Sequence, residues 1–285
     1  MLITFQELCA GAPVIADGAW GTEFQKLGLE PGSAPDEWNL THPHRVLQVA
    51  RSYVDAGSRV ILTNTFRANP IATGCRQIAD INRRGVEISR EAAGNRAVVF
   101  ASVGPTGKLL AAGDVTEGEI RAAFTEQLSG LAEGRPDAIL LETFADPAEA
   151  RIALEAAKQT GLPVVVSFVF DSGRKGDRTM MGSTPEQVAK EMEAAGASAV
   201  GANCGRGIAD YVEICSRIRA ATSLPVWMKP NAGLPEMLEG KTVYHTTAED
   251  FADRVPDLVR AGATFVGGCC GSDPSFIAEI ARRLA

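Results

Sequence analysis

The chain has 285 residues, 45% of them hydrophobic, enough for one large core and long for anything but a barrel or an extended α/β domain. Its net charge of −7, without a long basic run, argues against nucleic acid or an anionic membrane surface as partner. No segment approaches the ~18–20 consecutive apolar residues of a membrane span, and Met1–Ala10 lacks a signal-peptide pattern, so a cytoplasmic protein is expected, its six cysteines kept as thiols for metal or chemistry.

Short apolar or β-branched runs recur along the chain at Pro13–Ala16, Arg59–Thr63, Ala97–Val103, Ala138–Leu141, Pro163–Val169, Ser198–Gly201, Pro225–Met228 and Thr264–Gly267. The stretches Glu119–Gly134, Pro147–Thr160, Pro185–Ala195 and Asp210–Ala221 lie between them, with apolar residues at helical spacing. Asp146-Pro147 and Thr184-Pro185 each place a capping residue before a first-turn proline, and Gly161 and Gly196 suit left-handed stops. Strands apolar throughout belong in a parallel sheet covered by helices. Eight such units, with no linker or composition shift, predict one domain over residues 1–285, a (β/α)8 TIM barrel. Gly21–Val46, rich in Pro, Gly and Trp, is expected to run as an extended first connection over the barrel mouth; the Gly-, Arg- and Lys-rich 171–182 reads equally as a mobile lid or a solvated loop.

Active sites of such barrels form at the C-terminal strand ends. Polar or thiol residues stand there after six of the eight runs: Asp17, Asn64, Glu142, Cys204, Asn231, and the pair Cys269 and Cys270. Cys204 lies in Gly201-Ala-Asn-Cys-Gly205 and the pair in Gly267-Gly-Cys-Cys-Gly271. Flanking glycines favour close backbone approach or unusual dihedrals over a packed core, and adjacent cysteines suit a disulfide poorly. Three thiols from two segments therefore point to a zinc site with one open position, since a closed structural site takes four protein ligands. Cys215 and Cys9, in helical contexts, and Cys75 read as packing residues. His42, His44 and His245 read as surface or capping residues. Glu142, ending an apolar strand, is costly to bury without a cation, which an amino-acid ammonium would supply. Backbone N–H groups around Gly18 and Ala19 are placed to hold the carboxylate of such a substrate. Gly104-Pro-Thr-Gly-Lys108 lacks the glycine spacing and trailing hydroxyl of a phosphate loop.

At Asp17-Gly-Ala-Trp-Gly-Thr22, Thr63-Asn-Thr-Phe66, Leu141-Glu-Thr143, Gly201-Ala-Asn-Cys-Gly205, Lys229-Pro-Asn-Ala-Gly233 and Gly267-Gly-Cys-Cys-Gly271 the chain resembles the zinc-dependent homocysteine S-methyltransferases. The resemblance implies Zn2+ on Cys204, Cys269 and Cys270, homocysteine sulfur in the fourth position, and Asp17 and Glu142 on the substrate ammonium. Thr143 stands where the betaine enzyme has a tyrosine. The run from Pro230 to Tyr244 is similar to the homocysteine module of cobalamin-dependent methionine synthase, which makes Asn231 a candidate for the open position when substrate is absent. The implied methyl donor is methylcobalamin or another methylcorrinoid supplied in trans by a corrinoid protein; the alternatives are an onium donor such as S-methylmethionine or betaine, or a different thiol acceptor. A non-enzymatic zinc-thiolate redox sensor and a metal-free lyase using Lys229 are the competing classes.

Overall fold

Runs that are apolar on both faces over most of their length form strands buried on both faces. A computed structural model describes residues 3–30, 32–74, 76–238 and 241–285. Its strands are β1 (Val14–Ile15), β2 (Val60–Leu62), β3 (Val98–Val103), β4 (Ala138–Phe144), β5 (Val164–Phe168), β6 (Ala199–Cys204), β7 (Val226–Pro230), β8 (Glu236–Leu238), β9 (Lys241–Val243) and β10 (Phe265–Val266). All but β8 and β9 pair in parallel in the order β1-β10-β7-β6-β5-β4-β3-β2. The ends meet through a parallel bridge between Ala16 and Val60, and Arg59 N–H donates to Ile15 O at 2.7 Å. The architecture is a (β/α)8 barrel, with each of the eight expected runs in its wall.

Alternation along the strands separates two cores. Val14, Val60, Phe100, Leu140, Val165, Trp227 and Phe265 fill the barrel interior. The Phe100, Trp227 and Phe265 rings lie 5.3–5.9 Å apart. The intervening residues, such as Val99, Ile139, Val166 and Val200, pack outward against the helices. Asp146 caps the helix Pro147–Lys158 through Ala148 N–H, and Thr184 caps Pro185–Ala194 through Gln187 N–H. Those helices end just before Gly161 (φ 72°) and Gly196 (φ 90°), both left-handed as the sequence requires.

Three features add to the expected strands and helices. The long connection over Gly21–Val46 lies at the barrel mouth as expected, and it carries most of α2 (Trp20–Lys26), a 3-10 turn at Pro35–Glu37 and the short helix Trp38–Thr41. The segment after β7 folds into the exposed antiparallel hairpin β8–β9. The N-terminus forms α1 (Phe5–Ala10), closed by a reciprocal Thr4–Glu7 capping box. Phe5 stacks 6.0 Å from Phe100 and from Phe265, and Leu8 joins the interior cluster, so this helix seals the N-terminal end of the barrel. Among the described residues no helix is long and apolar enough to cross a membrane.

Candidate active site

The same period of two builds the site. One step beyond Phe100, Leu140, Val165 and Trp227, the inward positions become Ser102, Glu142, Ser167 and Lys229, with Asn203 in the matching place on β6. A buried polar layer thus caps the apolar interior at the C-terminal end. A cavity of about 220 Å3 opens onto it, lined among others by Gly18, Ala19, Asn64, Glu142, Lys229 and the three cysteines Cys204, Cys269 and Cys270.

Glu142 is 7% exposed and accepts a hydrogen bond from Ser102 Oγ. Burial pushes its carboxyl up to about 7, against the pull of the neighbouring Lys229 cation. Lys229, 2% exposed, donates from Nζ to Asp17 Oδ1. Burial alone disfavours its charge, but the Asp17 and Glu142 carboxylates outweigh that and hold its pKa above the ordinary lysine value. The other Asp17 oxygen, Oδ2, accepts from Trp20 Nε1 and from Leu62 N–H, both at 2.7 Å. Asp17 is therefore fully enclosed and its carboxylate is engaged within the protein, whereas Glu142 faces the cavity. The sequence supplied a cation for Glu142 from the substrate; the fold places Lys229 there as well.

The three thiols meet. Their sulfurs lie within 4.8 Å of one another, Cys204 and Cys269 at 3.0 Å. Hydrogen bonds to Cys269 and Cys270 push the Cys204 thiol well above its ordinary range, and hydrogen bonds from Cys204 and Cys269 hold Cys270 well below it. Glycines permit the approach: Gly205 has φ 66°, and Gly271, at φ 83°, carries the Tyr244 ring so close that a Cβ would lie 2.3 Å from its Cγ. Backbone bonds lock the loops together, with Asn231 N–H to Cys204 O at 3.2 Å, Cys269 N–H to Pro230 O at 2.8 Å and Ala232 N–H to Cys270 O at 2.9 Å. Clustered soft donors with polar surroundings fit a metal ion.

The remaining expected residues serve the frame. Asn64 Nδ2 donates to Pro35 O (2.7 Å) and Asn39 Oδ1 (3.1 Å), tying the first connection to the mouth. Asp36, in that connection, is buried enough to be pushed up to about 6. Gly18 and Ala19 lie at the start of α2, and Ala19 N–H is given to Ser272 O at 3.2 Å. Asn231 sits beside the cluster rather than on the cavity wall; its Nδ2 donates to Gly205 O at 2.7 Å, and its buried Oδ1 has no partner among the described residues. Thr106 of the loop 104–108 donates through N–H and Oγ1 to Glu149 at 2.7 Å, a structural pin. Cys215 is buried inside its helix, Cys9 is half-buried in α1, and Cys75 lies outside the described residues. His42 precedes the helix Pro43–Asp55, His44 lies in its first turn, and His245 pairs with Glu236 on the surface.

Residues 14–284 match the family model for homocysteine S-methyltransferase. The chain belongs to the homocysteine S-methyltransferase family. Among curated members, the methionine synthases of Mycobacterium leprae (strain TN) and Mycobacterium tuberculosis (strain ATCC 25618 / H37Rv) are each 30% identical, over 98% and 95% of this chain. The chain spans about a quarter of their length (25% and 24%). Homocysteine S-methyltransferase 4 of Zea mays is 28% identical over 96% of this chain and 90% of its own length. The homocysteine methyltransferase MmuM from Escherichia coli shares the fold, with TM-scores of 0.79 for its oxidized and 0.78 for its metallated form. Each is 23% identical over 95% of this chain and 95% or 96% of the neighbour.

Proposed function

We propose that this family member moves a methyl group to the thiol of homocysteine, giving methionine, with Zn2+ held by Cys204, Cys269 and Cys270. The observation that carries the reading is the convergence of three thiols on a cavity shared with the buried carboxylate of Glu142. The metallated form of the Escherichia coli neighbour supports a metal at such a site. When bound, Zn2+ is a Lewis acid that favours the thiolate of a substrate sulfur at neutral pH.

The chain's own residues do the rest. Glu142 faces the cavity and binds the ammonium, which relieves the cost of burying its charge. Asp17 acts with it by fixing the Lys229 cation and the Trp20 indole, so that the ammonium meets a pre-formed, charge-balanced wall. Gly18 and Ala19, at the start of α2, lie on the side where the substrate carboxylate fits. Asn64 holds the first connection at the mouth, and Asn231, beside the cluster with an Oδ1 unpartnered among the described residues, is the candidate to reach the open position before substrate arrives. The substrate sulfur uses a lone pair to form the S–CH3 bond while the bond from methyl to donor breaks, its electrons leaving with the donor.

The proposed donor is a methylcorrinoid, methylcobalamin or a corrinoid protein, supported by the identity to methionine synthases. An onium donor such as S-methylmethionine or betaine is the second reading, favoured by the near full-length match to the Zea mays enzyme. A reducing cytoplasm suits the three free thiols. The test is methionine formation by reduced, zinc-quantified protein given homocysteine and, separately, methylcobalamin, S-methylmethionine and betaine. Turnover with methylcobalamin alone supports the first donor; turnover with an onium alone replaces it with the second. A zinc-loaded protein that makes methionine from none of them, nor from a methylated corrinoid protein, refutes homocysteine as acceptor.

A further inference from the structure

Asn203, which precedes Cys204 on β6, touches both halves of the site. It is fully buried. Its Oδ1 accepts from Thr143 N–H at 2.8 Å and from Ser167 Oγ at 2.7 Å. Its Nδ2 donates to Thr143 Oγ1 at 2.6 Å and lies 3.6 Å from Cys204 Sγ and 3.9 Å from Cys269 Sγ. The orientation is forced: a backbone N–H can only donate, so the atom it meets is the amide oxygen, and the amide protons face the sulfurs.

This clasp holds an unfavourable backbone. Thr143 has φ 64°, a left-handed conformation that a β-branched residue rarely adopts, where the β4–β5 register slips between Leu141 and Phe144. Two hydrogen bonds to one amide, accepted from Thr143 N–H and donated to Thr143 Oγ1, keep it there, and Glu142 is the preceding residue in the same bulge. Thr143 Oγ1 in turn sits 3.9 Å from Cys204 Sγ.

We propose that Asn203 is a positioning residue for the metal centre: its amide protons lie against the Cys204 and Cys269 sulfurs and draw charge from them. This rests on the metal reading above. Three thiolates already outnumber the charge of a divalent ion, and a substrate thiolate adds one more. An N–H aimed at a coordinating sulfur lowers that sulfur's donation and fixes its direction. Thr143 Oγ1 accepts from the same amide at 2.6 Å and so fixes the direction in which its protons point.

The test uses the full chain loaded with Co2+, whose sulfur-to-cobalt charge-transfer band reports thiolate donation without any turnover. Asn203→Ala removes the protons, so the band should move to lower energy and the Zn2+ dissociation constant should rise roughly 10–100-fold. Because Asn203→Ala also strips Thr143 N–H of its acceptor and can fail to fold, Asn203→Asp is the second variant. It retains an oxygen for Thr143 N–H and Ser167 Oγ, removes the amide protons, and should also move the band to lower energy. A band at the wild-type position or at higher energy in either folded variant overturns the proposal. Wild-type protein that takes up no stoichiometric Co2+ overturns the metal reading itself, an outcome distinct from loaded protein with unmoved bands.

Discussion

Replacing Lys229 by methionine keeps most of the side-chain volume in the barrel and removes the charge. Asp17 has no exposed surface and Lys229 is 2% exposed, so water cannot take over the lost interaction. Removing one partner of a buried ion pair costs about 3–5 kcal/mol. Asp17 keeps hydrogen bonds from Trp20 Nε1 and Leu62 N–H, which places the cost near the lower end. At about 2–4 °C per kcal/mol for a chain of this size, the unfolding midpoint should fall roughly 6–12 °C. Asp17→Asn alone leaves Lys229 with Glu142 as its neighbouring counter-charge but without its ion-pair partner, and should cost a similar amount, whereas the double variant should recover most of the loss. Calorimetry and urea unfolding of the four proteins give the coupling directly. A loss below about 1 kcal/mol for Lys229→Met, or strictly additive single losses, refutes the view that the two charges are held by each other.

Other consequences can be measured on the same preparations. Changing Cys204, Cys269 or Cys270 to serine should take bound zinc from stoichiometric to trace levels and abolish methionine formation together; a serine variant retaining both refutes the three-thiol site. Glu142 rises from 4.5 to about 7 on folding, so its contribution to stability is full below about pH 4.5 and is lost as pH climbs through 7. The amount is on the order of 3 kcal/mol, and Glu142→Gln should flatten that limb of the stability curve. The comparison belongs in an Asp36→Asn background, because Asp36, pushed up to about 6 by burial, slopes the curve in the same direction. Gly271→Ala meets both a left-handed φ of 83° and the Tyr244 ring. It should lower stability by about 1–3 kcal/mol and weaken metal retention, and Tyr244→Ala should relieve only the steric part, as paired melting and zinc-loading measurements would show.

Much of this was visible in the chain because two periodicities are printed in it. Runs such as Val98–Val103 and Val164–Phe168 are apolar on both faces, which only a covered parallel sheet satisfies, and their ends marked Asp17, Glu142 and the cysteines. The partners of those residues were harder to read. Lys229 and Asn203 sit inside otherwise apolar strands, and their place in the polar layer follows only from counting by two from Trp227 and from Ala199. Lys229 stood out only as the base of a competing lyase reading and Asn203 only as part of a motif; the signal for their place in the layer was the alternation itself. Ser102 and Ser167 were hidden for the same reason. The partners of Asp17 depend on the join between β1 and β2, a contact between residues 45 apart that no local pattern encodes. The β8–β9 hairpin is exposed and carries no burial pattern to betray it.

The helix Phe5–Ala10 beneath the barrel has a bearing on kinetics. With Phe5 and Leu8 seated under Phe100 and Phe265, the floor is closed among the described residues, and the cavity beside the cysteine cluster lies at the roof. On the proposed chemistry, amino acid and methyl donor must therefore queue. The acceptor, bound deeper, enters first, and its methylated product stays behind the spent donor until that molecule backs out. Steady-state kinetics should show an ordered sequential pattern, with methionine competing against homocysteine and spent donor inhibiting non-competitively against both substrates.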